Sequence, residues 1–93
     1  MVYAYANIIV TAPESLAAYK EKAADALSKH GGRVVQATPN QTVLEGSRGE
    51  TGLGAILEFA TADAAKAWIN DPDLSDVHAL RRGAGSSTIT LMA

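Results

Sequence analysis

Residues Val2 to Val10 read as a strand with apolar side chains in both of its phases. Successive side chains on a strand alternate between faces, so Tyr3, Tyr5, Asn7 and Ile9 point one way, and Val2, Ala4, Ala6, Ile8 and Val10 the other. A strand apolar on both faces belongs in the middle of a sheet that is covered on both sides. That requirement is hard to meet, because a chain of 93 residues supports one domain, spanning 1–93, with little material to cover two faces. A domain of this size buries only about two-thirds of the surface its unfolded chain exposes. With no cysteine, neither disulfides nor a Cys-based zinc site can reinforce it. Association with a second copy is the remaining common route to a larger core.

The other elements follow from spacing. Pro13-Glu14 suits the first turn of a helix, although Ala12 before it is a poor N-cap. Leu16, Tyr19, Ala23, Leu27 and His30 form one stripe of that helix, and Gly31-Gly32 ends it. Arg33 to Thr38 reads as a second strand, with a turn at Pro39-Asn40. Thr42 to Glu45 is expected to extend again before a glycine-rich hairpin tip, Gly46 to Gly52, read as mobile. Leu53 to Ala60 is a third strand, with Leu53, Ala55, Leu57 and Phe59 on one face and Gly54, Ile56 and Glu58 on the other. Thr61 caps a second helix whose buried side is expected to hold Ala64, Ala67 and Trp68. Asp71-Pro72 restarts a short helix carrying Leu74, Val77, His78 and Arg81, and Ser87 to Met92 closes the chain as a strand. The order is βαββαβ, the ferredoxin-like pattern of an α+β domain, with a four-stranded antiparallel sheet and helices on one face. Its other face is expected to pack against a second copy, since a bare apolar sheet is a liability in a monomer.

Charge narrows the partners. Eight lysines and arginines stand against ten acids, a formal net charge of -2, which gives no reason to expect nucleic acid or an anionic membrane. No stretch approaches the roughly 20 apolar residues that span a bilayer. The N-terminal residues lack the basic and long apolar segments of a signal peptide, so a cytoplasmic protein is the expectation. The sequon Asn40-Gln41-Thr42 is then expected to stay unused.

Several segments together resemble a known family. His30-Gly31-Gly32-Arg33, Leu44-Glu45-Gly46, Glu58-Phe59, Ala67-Trp68 followed by Pro72, and Leu80-Arg81 occur in the order and spacing of domain-of-unknown-function family 1330. Pro13-Glu14 and Tyr19 fit as well. The resemblance spans nearly the whole chain and implies the fold of the dimeric α/β-barrel superfamily, whose members pair sheets across a two-fold axis. That superfamily includes cofactor-independent monooxygenases, isomerases, haem enzymes and plain ligand binders, so the fold does not choose an activity. The chain also departs from the family pattern: Leu16, Ile69 and Leu74 stand at positions typical of tyrosine, as does His30, and no tryptophan follows Glu45-Gly46.

Candidate site residues follow from chemistry. Arg33 can fork onto a carboxylate, either of a ligand or, more plainly, of Glu45 or Glu58. Glu58 on a central strand is the candidate acid/base, because desolvation raises a carboxylate's pKa; its plainer role is an ion pair. His30 ends the first helix, where it can meet the final carbonyls. His78 lies one turn before Arg81 and Arg82 and is expected to line the same cavity as Arg81. Trp68 with Tyr3, Tyr5, Tyr19 and Phe59 can wall a small pocket or simply fill the core. Arg33, Glu58, Trp68 and Arg81 are expected to converge, with His30, His78 and Glu45 as further ligand contacts. Neither the H-x-x-x-H nor the E-x-x-H metal spacing occurs, and no G-x-S-x-G elbow or phosphate loop is present. No metal and no cofactor is expected. Two functions remain: a homodimeric, non-catalytic module that binds a small ligand or serves as an accessory protein, or a cofactor-independent small-molecule enzyme, monooxygenase- or isomerase-like, with Glu58 as acid/base.

Overall fold

The computed structural model describes residues 1–47 and 49–93. Strand β1 spans Val2–Val10, helix α1 Pro13–Lys29, β2 Arg33–Thr38, β3 Leu53–Phe59, α2 Ala62–Asn70, α3 Ser75–Gly83 and β4 Gly85–Met92, with a 3₁₀ turn at Pro72–Leu74. The sheet order is β2-β3-β1-β4, antiparallel throughout. The fold is therefore α+β and ferredoxin-like, with β1 central as its composition requires.

Local chemistry sets the boundaries. Gly31 takes a left-handed φ of 69°, and the amides of Gly31 and Gly32 donate back to Ser28 and Leu27 carbonyls at 3.0 and 2.8 Å. This closes the end of α1 and satisfies carbonyls that the helix leaves open. Gly32 must also lack a side chain, because a Cβ there would stand 2.6 Å from the Phe59 ring. The Thr61 hydroxyl accepts from the Ala64 amide at 3.1 Å and caps α2; the Asp71 carboxylate accepts from the Asp73 amide at 2.9 Å and caps the 3₁₀ turn.

One sheet face meets the helices. Ala4, Leu57 and Phe59 from the sheet pack with Ala26, Leu27, Ala65, Trp68 and Leu74 from the helices. Ala65, not Ala67, shares the buried side of α2 with Trp68. The opposite face carries Tyr3, Tyr5, Asn7 and Ile9 of β1, opposite Glu58, Ile56 and Gly54 of β3. Arg33, Gln36 and Thr38 flank it on one side, and Met92, Thr90 and Thr88 on the other. This face is more polar than the strand-one pattern alone implies. Residues 42–45 form no strand, against the expectation of a further extended segment, and Leu44 is 95% exposed. The expected hairpin tip includes Arg48, which lies outside the described residues. Before it, Gln41 turns back across the open face: its amide donates to Asn7 Oδ1 at 2.7 Å and to the Gly52 carbonyl at 2.8 Å. Its carbonyl oxygen accepts from the Tyr5 hydroxyl. Gly54 leaves room for it, since a Cβ there would lie 2.8 Å from the Gln41 amide.

Candidate functional site

A partly enclosed cavity of about 130 Å³ lies between α1 and the sheet. Leu16, Tyr19 and Leu27 of α1 form its roof, and Ile8, Leu53, Leu57 and Ile89 its floor. The space exists because alanines stand where larger side chains would meet: Ala23 on α1, and Ala6, Ala37 and Ala55 on three adjacent strands. Protein interiors rarely leave voids larger than a water molecule. Lys20 and Val34, both exposed, mark the mouth beside the β2 edge.

Among the described residues, Arg81 is the cation at the inner wall. It sits in the last turn of α3 and is 3% exposed. None of the ion pairs among the described residues involves it. Its Cζ stands 5.6 Å from the Tyr19 ring centroid and 5.4 Å from that of Trp68. Ring faces and the C-terminal end of α3 thus offset part of its desolvation without neutralising its charge. Arg81 Nη1 donates to His78 Nδ1 at 2.7 Å. An arginine cannot accept, so Nδ1 is bare, the hydrogen of the neutral ring is on Nε2, and it is donated to the Trp68 carbonyl at 2.9 Å. Burial pushes the His78 pKa down, helped by the charges of Arg81 and Arg82 and opposed by the Trp68 carbonyl. Trp68 holds the imidazole edge-on at 4.9 Å and leans on Phe59 at 5.6 Å. Two buried donors in this cluster, Arg81 Nε and Trp68 Nε1, have no acceptor. Buried polar groups are nearly always paired, so each orphan is a donor lacking its acceptor; Arg81 lines the cavity, whereas Trp68 borders a separate hollow beside Phe59 and Leu91.

The expected convergence of Arg33, Glu58, Trp68 and Arg81 does not occur. Trp68, His78 and Arg81 come together, but Glu58 alternates with Leu57 and Phe59, which face the helices, and so lies on the opposite side of the sheet. There Arg33 Nε donates to Glu58 Oε1 at 2.9 Å. That bond holds the Glu58 carboxyl below its ordinary pKa, against the expected rise, and Glu58 in turn raises the Tyr3 hydroxyl beside it. His78 is not on the cavity wall; it lies behind Arg81, with both of its nitrogens engaged. His30 is also elsewhere: its Nε2 meets Asp71 Oδ2 at 2.8 Å, where Lys29 Nζ also binds at 2.8 Å. These two partners, Lys29 foremost, hold Asp71 well below the usual carboxylate range. Glu45 is exposed in the segment between β2 and β3, away from the cluster. Sequence reasoning missed Lys20 and the four alanines; alanine reads as ordinary core, and only the pairing of three strands sets these side by side. Among the described residues no group of three or more His, Cys, Asp or Glu is placed to hold a metal ion, and no helix is long and apolar enough to cross a membrane.

The chain's relatives share this fold. The family described as Domain of unknown function (DUF1330) matches residues 1–93. No curated protein matches the sequence. A protein of unknown function from Rhodopseudomonas palustris superposes with a TM-score of 0.76 at 19% identity, covering 98% of this chain and 79% of its own. A dimeric ferredoxin-like protein of unknown function from Jannaschia sp. CCS1 gives 0.67 at 13% identity, covering 99% and 97%. SnoaB, a cofactor-independent oxygenase from Streptomyces nogalater, gives 0.59 at 14% identity, covering 99% and 88%.

Proposed function

The chain belongs to the DUF1330 family, and from its cavity we propose that it is a homodimeric, non-catalytic module that binds a small apolar anion, with a carboxylate held by Arg81. The observation that carries this reading is a buried guanidinium with no carboxylate partner, placed at the wall of an otherwise apolar cavity. Burying an uncompensated charge costs several kcal/mol unless something pairs it, so a ligand anion completes the site. Size sets the scale of the apolar part. An engineered apolar cavity of about 150 Å³ in another protein holds benzene, and benzoate is the matching probe here. The orphan Arg81 Nε is the donor available to ligand oxygens, and Lys20 at the mouth favours an approaching anion.

The likeness to SnoaB brings a catalytic reading with Glu58 as acid/base into view, but the geometry favours binding. Glu58 is ion-paired across the sheet from the cavity, and His78 has no nitrogen left for a substrate proton. In this reading the second copy covers the open sheet face, a proposal supported by Tyr3 and Met92 being exposed there beside Ile9 and Ile56. Light scattering tests this part: a dimer has twice the chain mass of 9.7 kDa, and Ile56→Lys halves it. The ligand reading is tested by thermal shift with benzoate on wild type and Arg81→Met. A rise in midpoint confined to wild type supports it, and equal shifts in both proteins, or none in either, overturn it.

A further inference from the structure

We infer that His78 is the positioning residue of the cavity: by keeping an unprotonated Nδ1 toward Arg81, it aims the guanidinium, so that the site captures its anion only while His78 is neutral. This rests on the anion reading of the cavity. The ring is 1% exposed and bonded at both nitrogens, to Arg81 Nη1 on one side and the Trp68 carbonyl on the other. The Trp68 carbonyl belongs to the last turn of α2, where it also accepts from the Asp71 amide that caps the helix, at 3.4 Å. His78 is therefore a strut from a fixed helix end to the head of a long side chain. An arginine on a flexible stem has many other rotamers, and one held Nη fixes the plane of the whole fork. With Nη1 committed, Nε–H is left for another acceptor.

Protonation of His78 would remove the acceptor and set two cations 2.7 Å apart in a buried site. The charges that reach His78 are Arg81 and Arg82 on its own helix, which oppose protonation, and Asp71 before the 3₁₀ turn, which favours it. From α1, Tyr19 stacks on Arg81 and Lys20 lines the mouth of the same cavity, and β4 has no charged residue. Simple electrostatics would have an added positive charge tighten anion binding. The strut predicts the reverse, because the guanidinium is released from its place.

The test is benzoate affinity from about pH 8 down to 5, the range in which the probe stays ionised, together with the His78 ring tautomer and protonation followed by NMR in the unliganded protein. Wild type is expected to show the Nε2–H tautomer and an affinity that falls as His78 gains its proton. His78→Gln, which can donate and accept but does not titrate, keeps the affinity and flattens the profile. His78→Leu loses about tenfold, the value of one hydrogen bond to a charged group; should it not fold, the tautomer and the Gln variant decide. An affinity that rises or stays level while NMR shows His78 gaining its proton, an Nδ1–H tautomer, or a Leu variant that binds like wild type overturns the inference while Arg81-dependent binding stands. Failure of wild type to bind benzoate at any pH removes the cavity reading, and this inference with it.

Discussion

Ala55→Ile fills the cavity floor and separates a functional void from an accident of packing. Ala55 lies on β3 between Ala6 and Ala37, facing the space beneath α1. Isoleucine adds three carbons, each worth about 0.8 kcal/mol when buried, or about 2.4 kcal/mol in all. Ordering the new side chain costs about 0.5 to 1 kcal/mol. The net gain is roughly 1.5 kcal/mol, and a β-branched residue also suits the middle of a strand. For a domain of this length each kcal/mol moves the midpoint by about 4–8 °C, so the variant should melt roughly 6–12 °C higher. Differential scanning calorimetry measures this, and the same variant should no longer respond to benzoate. If the space were illusory, the extra carbons would strain the core and cost about 1–3 kcal/mol. A fall in midpoint, or benzoate binding that survives in a stabilised variant, refutes the reasoning.

Three further outcomes follow from the same structure. The folded-state pKa of His78 is below its unfolded value of 6.5, so its contribution is fully present above that pH and is lost as pH falls through it toward the folded value. Chemical denaturation across that range should show a decline of at most about 1.4 kcal/mol per pH unit from this group, absent in His78→Gln. Glu58→Gln should leave benzoate affinity unchanged, since the carboxylate is on the far face; loss of binding in a titration would return Glu58 to the site. Gly32→Ala should lower stability by about 1–3 kcal/mol in urea unfolding, because its Cβ meets the fully buried Phe59 ring; an unchanged midpoint would mean the α1–β2 junction is looser than described.

Local signals in the sequence carried most of the architecture. Gly31-Gly32, Thr61 and Asp71-Pro72 each mark a boundary through their own backbone chemistry, and the α1 stripe and β3 alternation hold in the structure. The face of β1 that meets the helices was not legible, because both of its phases are largely apolar and alternation then carries no sign. Thr42 to Glu45 has the residue types of an extended segment, but it stays outside the sheet, and the open face is met by Gln41 instead. The bond from Gln41 to Asn7 joins residues 34 apart, beyond the reach of local pattern. At the site, Trp68, His78 and Arg81 were legible as neighbours on two short helices. Glu58 was misplaced because a carboxylate within an apolar strand reads as buried, whereas here it borders the open face and takes Arg33 as its partner.

The claim that the cavity is an anion site is tested most directly by calorimetric titration of wild type with benzoate and with uncharged benzamide, which share a ring but differ in charge. A carboxylate paired with a buried guanidinium should bind at least about tenfold more tightly than the amide. Equal affinities would show that the ring alone is recognised and that the charge of Arg81 takes no part.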